Sequence, residues 1–239
     1  NMLASRLQQG VTHIALVHHE TTTGKLNHIE AIAELARQYN VSLLLDAVSS
    51  FGAEEIKFEN WNISACAVTA NKCLHGVPGI SFVIINRKSI QQSNSRNTLY
   101  LDLKTYMQQQ DASSTPFTQS IQVLYALDEA LDEHAESGGW LSRRDDYRKK
   151  MELLNNRLVA LNIIPLIKPE DSSCVLVTYH LPENTNYQAF HDYLKDNGFV
   201  IYSGQGGLAS KVFRISLMGE VSVTDIERLV GLIEGFIEN

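Results

Sequence analysis

The sequence predicts an α/β fold: a mostly parallel sheet followed by a compact α+β lobe. Three observations carry this. The apolar runs 11–18 (VTHIALVH) and 41–45 (VSLLL) flank a stripe of helical period. Each run stops at polar or acidic residues, as strands of a covered sheet do. Past residue 172, short β-prone runs alternate with helical segments.

The elements follow in order. The first run reads as a buried strand ending in the polar turn His19-Glu20-Thr21-Thr22-Thr23-Gly24. Ile29, Ile32, Ala33, Leu35 and Ala36 recur at helical spacing, and Asn40 closes that helix. The run 41–45 does not alternate, which predicts a strand covered on both faces and ending at Asp46. Segments 63–68 and 79–85 are further strands, with Asn71-Lys72 between them. Residues 91–115 are polar and irregular and read as a long loop. Helices are expected at 118–134, with Leu124, Leu127, Ala130 and Leu131 on one side, and at 141–161, with Met151, Leu154, Leu158 and Leu161. Strands at 173–180, 198–202 and 211–216 alternate with helices at 186–197 and 222–238. Residues 1–10 do not read like the opening of a domain. The division expected is 1–134, a partial large domain with its linking helix, and 135–239, a small C-terminal domain.

Bulk properties narrow the function. A length of 239 residues allows a core plus a second lobe, and 44% hydrophobic with 20% charged residues is a globular composition. A net charge of −7 argues against nucleic acid or an anionic membrane as partner. The three cysteines, Cys66, Cys73 and Cys174, fit neither a disulfide framework nor a zinc set, which makes a reducing cytoplasm the expected setting. No stretch is long and apolar enough to span a membrane.

In a parallel sheet, ligands sit beyond the carboxyl ends of the strands. Glu20-Thr21, Asp46 and Lys72 all fall there. Taken singly, an aspartate at a strand end is ordinarily a cap or turn residue, and a lysine there a solvated charge. Together they suit Schiff-base chemistry, which needs an amine able to lose its proton and a carboxylate to keep a pyridine nitrogen protonated. Thr69 offers a hydroxyl to a phosphate.

Specific motifs then give a resemblance. His19-Glu20-Thr21-Thr22-Thr23-Gly24, Asp46-Ala47-Val48-Ser49-Ser50-Phe51-Gly52 and Thr69-Ala70-Asn71-Lys72-Cys73-Leu74-His75-Gly76-Val77-Pro78-Gly79 resemble, in order and spacing, segments of the class V aminotransferases of fold type I. Phe213-Arg214-Ile215-Ser216 resembles a further segment of that family, and the ANKC…GVPG form is most similar to its 2-aminoethylphosphonate–pyruvate members. The resemblance implies pyridoxal 5′-phosphate as cofactor, small amine and 2-oxo acid substrates, and a homodimer. It implies Lys72 as the Schiff-base lysine and proton shuttle, Asp46 on the pyridine nitrogen, and Thr21 and Ser49 near the ring. Thr69 would touch the phosphate, Thr115 would reach the phosphate of a partner subunit, and Arg214 would clamp the substrate's acid group.

The pattern also departs from the family. Relatives carry upstream a glycine-rich phosphate loop and a residue that stacks on the ring. Residues 1–10 replace neither, so the expectation is a truncated chain, with a non-catalytic remnant as one alternative and an alanine–glyoxylate or serine–pyruvate enzyme as another. Ser216-Leu217-Met218-Gly219 and Gln119 depart from the pattern near the substrate. Other features have plainer readings. Adjacent His18 and His19 point to opposite faces of a strand, which suits no shared metal. Cys73 reads as a small buried residue, and Gly204-Gln205-Gly206-Gly207 as a loop.

Overall fold

A computed structural model describes residues 2–91 and 98–238. Its first part runs α1 (Met2–Leu7), β1 (His13–Val17), β2 (His19–Glu20), β3 (Lys25–Leu26), α2 (Ile29–Gln38), β4 (Ser42–Asp46), β5 (Ile63–Thr69), β6 (Ser81–Ile85), α3 (Arg87–Gln91) and α4 (Leu103–Asp111). The long helices α5 (Ile121–Glu136) and α6 (Gly139–Ala160) lead to β7 (Leu176–His180), α7 (Tyr187–Asp196), β8 (Tyr202–Ser203), β9 (Val212–Ser216) and α8 (Val223–Ile237).

One sheet has the order β1-β4-β5-β6, with β1, β4 and β5 parallel and β6 antiparallel at the edge. The mostly parallel sheet expected from the apolar runs is therefore present. Residues on a strand alternate between faces. Leu43, Leu45, Ile63, Cys66 and Val68 bury one face against Leu7, Ile29, Ala33, Ala36 and Trp61. Each large side chain so buried contributes roughly 1.5–3 kcal/mol. On the opposite face Ala15, Val17, Leu44 and Asp46 are exposed, and Ala65, Ala67 and Thr69 are half-buried.

The second sheet, β7-β9-β8, is antiparallel throughout. Its core joins Val177, Tyr179, Phe213 and Ile215 to Met151, Leu154 and Leu158 of α6, Phe190 and Leu194 of α7, and Ile226, Val230 and Ile233 of α8. Ser222 and Asp225 cap the last helix reciprocally, which satisfies donors that a helix N-terminus otherwise leaves open.

Three local expectations need correction. The run 41–45 is not covered on both faces, because Leu44 remains 39% exposed. The stretch 91–115 is not all loop: Asp102 accepts a hydrogen bond from Lys104 N and starts α4, whose polar LKTYMQQQD shows too few apolar residues for a visible period. Residues 92–97 of that stretch lie outside the described residues. Of the run 198–202 only Tyr202 lies in a strand, the two-residue β8 that continues to Ser203 and pairs with β9.

Candidate active site

β4 and β5 are adjacent and parallel, so their carboxyl ends deliver their last residues side by side. Asp46 is aligned with Ala67, and Thr69 lies two residues further on the same face. One oxygen of Asp46 accepts Val48 N at 3.0 Å. The other makes no hydrogen bond among the described residues, nor does the Lys72 amine, which lies three residues beyond Thr69. A free carboxylate oxygen and a free amine thus stand at neighbouring strand ends.

The loop carrying Lys72 is tightly closed. Gly76 N donates to Ala70 O, and His75 N to Lys72 O, both at 2.9 Å. A methyl group at Gly76 would lie 3.0 Å from Ala70 O, so the closure leaves little room for a side chain there. The Thr69 hydroxyl faces Asn71 Oδ1 at 2.8 Å and Ile80 O at 3.1 Å. Its single proton is used inside the chain, and Asn71 brings amide N–H groups to the same place.

The turn 20–24 is stitched to the second sheet. β2 pairs with β3 in an antiparallel clip around it. Glu20 accepts Thr22 N at 2.8 Å; that bond chiefly, with Arg214 adding a smaller pull, holds its carboxyl below the usual range. Arg214 donates from Nε to Ser203 O at 2.9 Å and from Nη1 to Thr21 O at 3.1 Å. The guanidinium is therefore held by two backbone carbonyls, with Tyr202 at 5.9 Å from its carbon. Thr22 Oγ1 meets Gln205 Oε1 at 3.4 Å on the same rim.

Both histidines before the turn are buried. His18 packs edge-on against Trp61 with ring centroids 6.1 Å apart, and burial, then His19, lowers its pKa to about 4. His19 Nδ1 bonds Ser49 O at 2.9 Å. Burial lowers its pKa most; the Ser49 carbonyl and Glu20 oppose this, and Lys72 adds to it. Ser49 O also accepts the Cys73 thiol at 3.6 Å, so His19 and the residue after Lys72 share one carbonyl, a juxtaposition the strand pattern did not reveal. His19 Nε2 is buried without a partner among the described residues. Cys73 is fully buried and burial pushes its thiol up to about 12, so it stays protonated.

Thr21 and Arg214 meet directly, Ser49 O meets His19 and the Cys73 thiol next to Lys72, and Asp46 and Thr69 share one face of the adjacent strands β4 and β5. Thr115 does not join them: it is exposed on the loop before α5, donating to Phe117 O at 2.9 Å. Gln119 bonds the same carbonyl. Sequence reading passed over Asn71 and His19, and also Arg143, Tyr147 and His134, which reach the loops from α5 and α6. Arg143 Nη1 donates to Cys73 O at 2.9 Å, and His134 Nε2 meets Gly52 O at 2.8 Å. Among the described residues no helix is long and apolar enough to cross a membrane.

The family model described as "Aminotransferase class-V" matches residues 1–229. The chain belongs to the class V aminotransferase family. It is 37% identical over 229 residues to the 2-aminoethylphosphonate–pyruvate transaminase of Vibrio vulnificus, covering 94% of this chain and 62% of that protein. It is 38% identical over 233 residues to the bifunctional phosphonoacetaldehyde hydrolase/aminoethylphosphonate transaminase of Clostridioides difficile, covering 95% and 36%. Among solved structures it resembles alanine–glyoxylate aminotransferase from Nostoc sp. at a TM-score of 0.91 and 27% identity, covering 98% of this chain and 64% of that one. The chain thus spans less than two thirds of the length of each of these relatives. The α/β fold expected from the sequence is that of this family.

Proposed function

We propose that the protein transfers amino groups with pyridoxal phosphate, from 2-aminoethylphosphonate to pyruvate, giving phosphonoacetaldehyde and alanine. The observation that carries the reading is the free Asp46 oxygen and the free Lys72 amine at neighbouring parallel strand ends. This donor set fits the cofactor: a carboxylate for the pyridine nitrogen, an amine for the aldehyde, and the Asn71 amide N–H groups for part of the phosphate, with the Thr69 hydroxyl joining when it turns from its loop acceptors. When bound, the cofactor supplies an electron sink for the donor's Cα–H bond. The chain's residues do the rest. Lys72 Nζ is the base that takes the Cα proton, and Asp46 keeps its partner nitrogen protonated. Thr21 and Ser49 line the ring, and Arg214, already aimed by Ser203 O and Thr21 O, binds the acid group of the substrate.

The curated relatives' names support the phosphonate donor, while the Nostoc structure supports an alanine–glyoxylate exchange as second reading. A donor panel separates them. We read residues 1–134 as the cofactor-binding part and 135–239 as the small domain. A homodimer is supported by exposed apolar residues near Thr115: Tyr100, Leu101, Ile121 and Tyr125 are 52–72% exposed. The decisive experiment is incubation with pyridoxal phosphate, borohydride reduction and peptide mapping. Label confined to Lys72 is expected; a folded protein without label there sinks the reading.

A further inference from the structure

The amine of Lys72 has no hydrogen bond or ion pair among the described residues, so the backbone turn alone aims it. That turn is gripped from two directions. Its inner bonds are His75 N to Lys72 O and Gly76 N to Ala70 O. His75 has φ +64°, a left-handed conformation that a non-glycine residue holds only when its surroundings impose it. The surroundings are visible. The Tyr147 hydroxyl of α6 lies 2.5 Å from His75 Nε2, and Gly219 N, between β9 and α8, donates to the same atom at 3.2 Å. Tyr147 is fully buried among Ala53, Cys73 and Val175.

The chemistry of these bonds fixes the protonation state. A backbone N–H only donates, so Nε2 accepts and the ring proton of neutral His75 sits on Nδ1. The Tyr147 hydroxyl is then a donor as well. A protonated ring would set an N–H against the Gly219 N–H, and the grip would open. Facing the ring are Arg143, Tyr147 and Lys150 of α6, His134 of α5, and Glu220 after β9. Burial first, then Arg143, favours the neutral ring; Glu220 opposes, and His134 and Lys150 add to the neutral preference.

We propose that His75 and Tyr147 are positioning residues for Lys72: the neutral imidazole, held by the Tyr147 hydroxyl and the Gly219 amide, fixes the turn that starts at the Lys72 carbonyl and so directs its amine. This rests on Lys72 being the cofactor lysine, but its test needs no cofactor. Trace acylation of the protein followed by peptide mass spectrometry gives the reactivity of Lys72 relative to the exposed Lys88 and Lys211. Tyr147→Phe keeps the ring and removes the donor. The expected result is a rise of about threefold in relative Lys72 labelling, the size of one net hydrogen bond, with Lys88 against Lys211 unchanged. His75→Asn, which tolerates the left-handed backbone, gives the same rise, and the double variant no more. In the unmutated protein the Lys72 ratio also rises as pH falls below the ordinary imidazole range, where His75, its pKa lowered chiefly by burial, takes up its proton. A cooperatively melting variant with an unchanged Lys72 ratio, a rise at all three lysines, or a flat pH profile in the unmutated protein overturns the proposal. Absence of borohydride label at Lys72 would instead sink the functional reading and leave these ratios interpretable.

Discussion

The two sheets solve the same problem differently. The antiparallel sheet β7-β9-β8 packs one face on α6, α7 and α8, and Tyr179 and Phe213 of the sheet are fully buried with Phe190 of α7. The β1-β4-β5-β6 sheet seals one face on α1 and α2 and leaves the other, with Leu44 and Asp46, open. Stability and chemistry are therefore separated. The closed lobe holds the larger buried apolar cluster, while the acidic end of β4 lies on the open face and the Lys72 loop follows the neighbouring strand β5.

The largest test of this contrast is Phe213→Ala. Phe213 is stacked on Tyr179 at 5.5 Å and edge-on to Phe190 at 5.2 Å, so its removal should cost about 3–5 kcal/mol in urea denaturation. A loss below about 1 kcal/mol would mean that the lobe repacks freely and the contrast fails.

The next is a pH effect seated under the other sheet. Unfolded His18 takes up its proton near the ordinary imidazole value of 6.5, and folded His18 at about 4. Stability is thus complete above pH 6.5, falls as pH drops from 6.5 to 4, and loses nothing more to this residue below that. The expected loss over that window is about 3 kcal/mol, with His19 acting in the same direction. His18→Phe should flatten the profile; an unchanged slope would remove His18 from the account.

The smallest effect belongs to the open face. Leu44→Ala should cost less than about 1 kcal/mol, because Leu44 is already 39% exposed. A loss as large as that of Phe213→Ala would show that this face is covered in solution.

Much of this was legible in one dimension. The strands ending at Asp46 and before Lys72, the helical stripe from Ile29 to Ala36 and the alternation in the C-terminal lobe all follow from local apolar period. Polar periods were not: α4 is coded by the Asp102 cap rather than by a stripe. The open face of β4 was invisible too, since VSLLL reads the same whether one face or both are covered. In the site, motifs located Asp46 and Lys72, but Tyr147 and Arg143 act across 72 and 70 residues of sequence, where no spacing rule reaches. Thr69 was chosen for its hydroxyl, and the structure shows that hydroxyl already engaged by its own loop.

The helix α6 ties the two halves of the molecule to one rod. Its second half, through Met151, Leu154 and Leu158, belongs to a core drawn entirely from residues 151–233. Its first half carries Arg143 and Tyr147 to the Lys72 loop, 70 and 72 residues back along the chain. A helix-breaking proline in the middle of α6 would therefore loosen the Lys72 turn and the C-terminal lobe together.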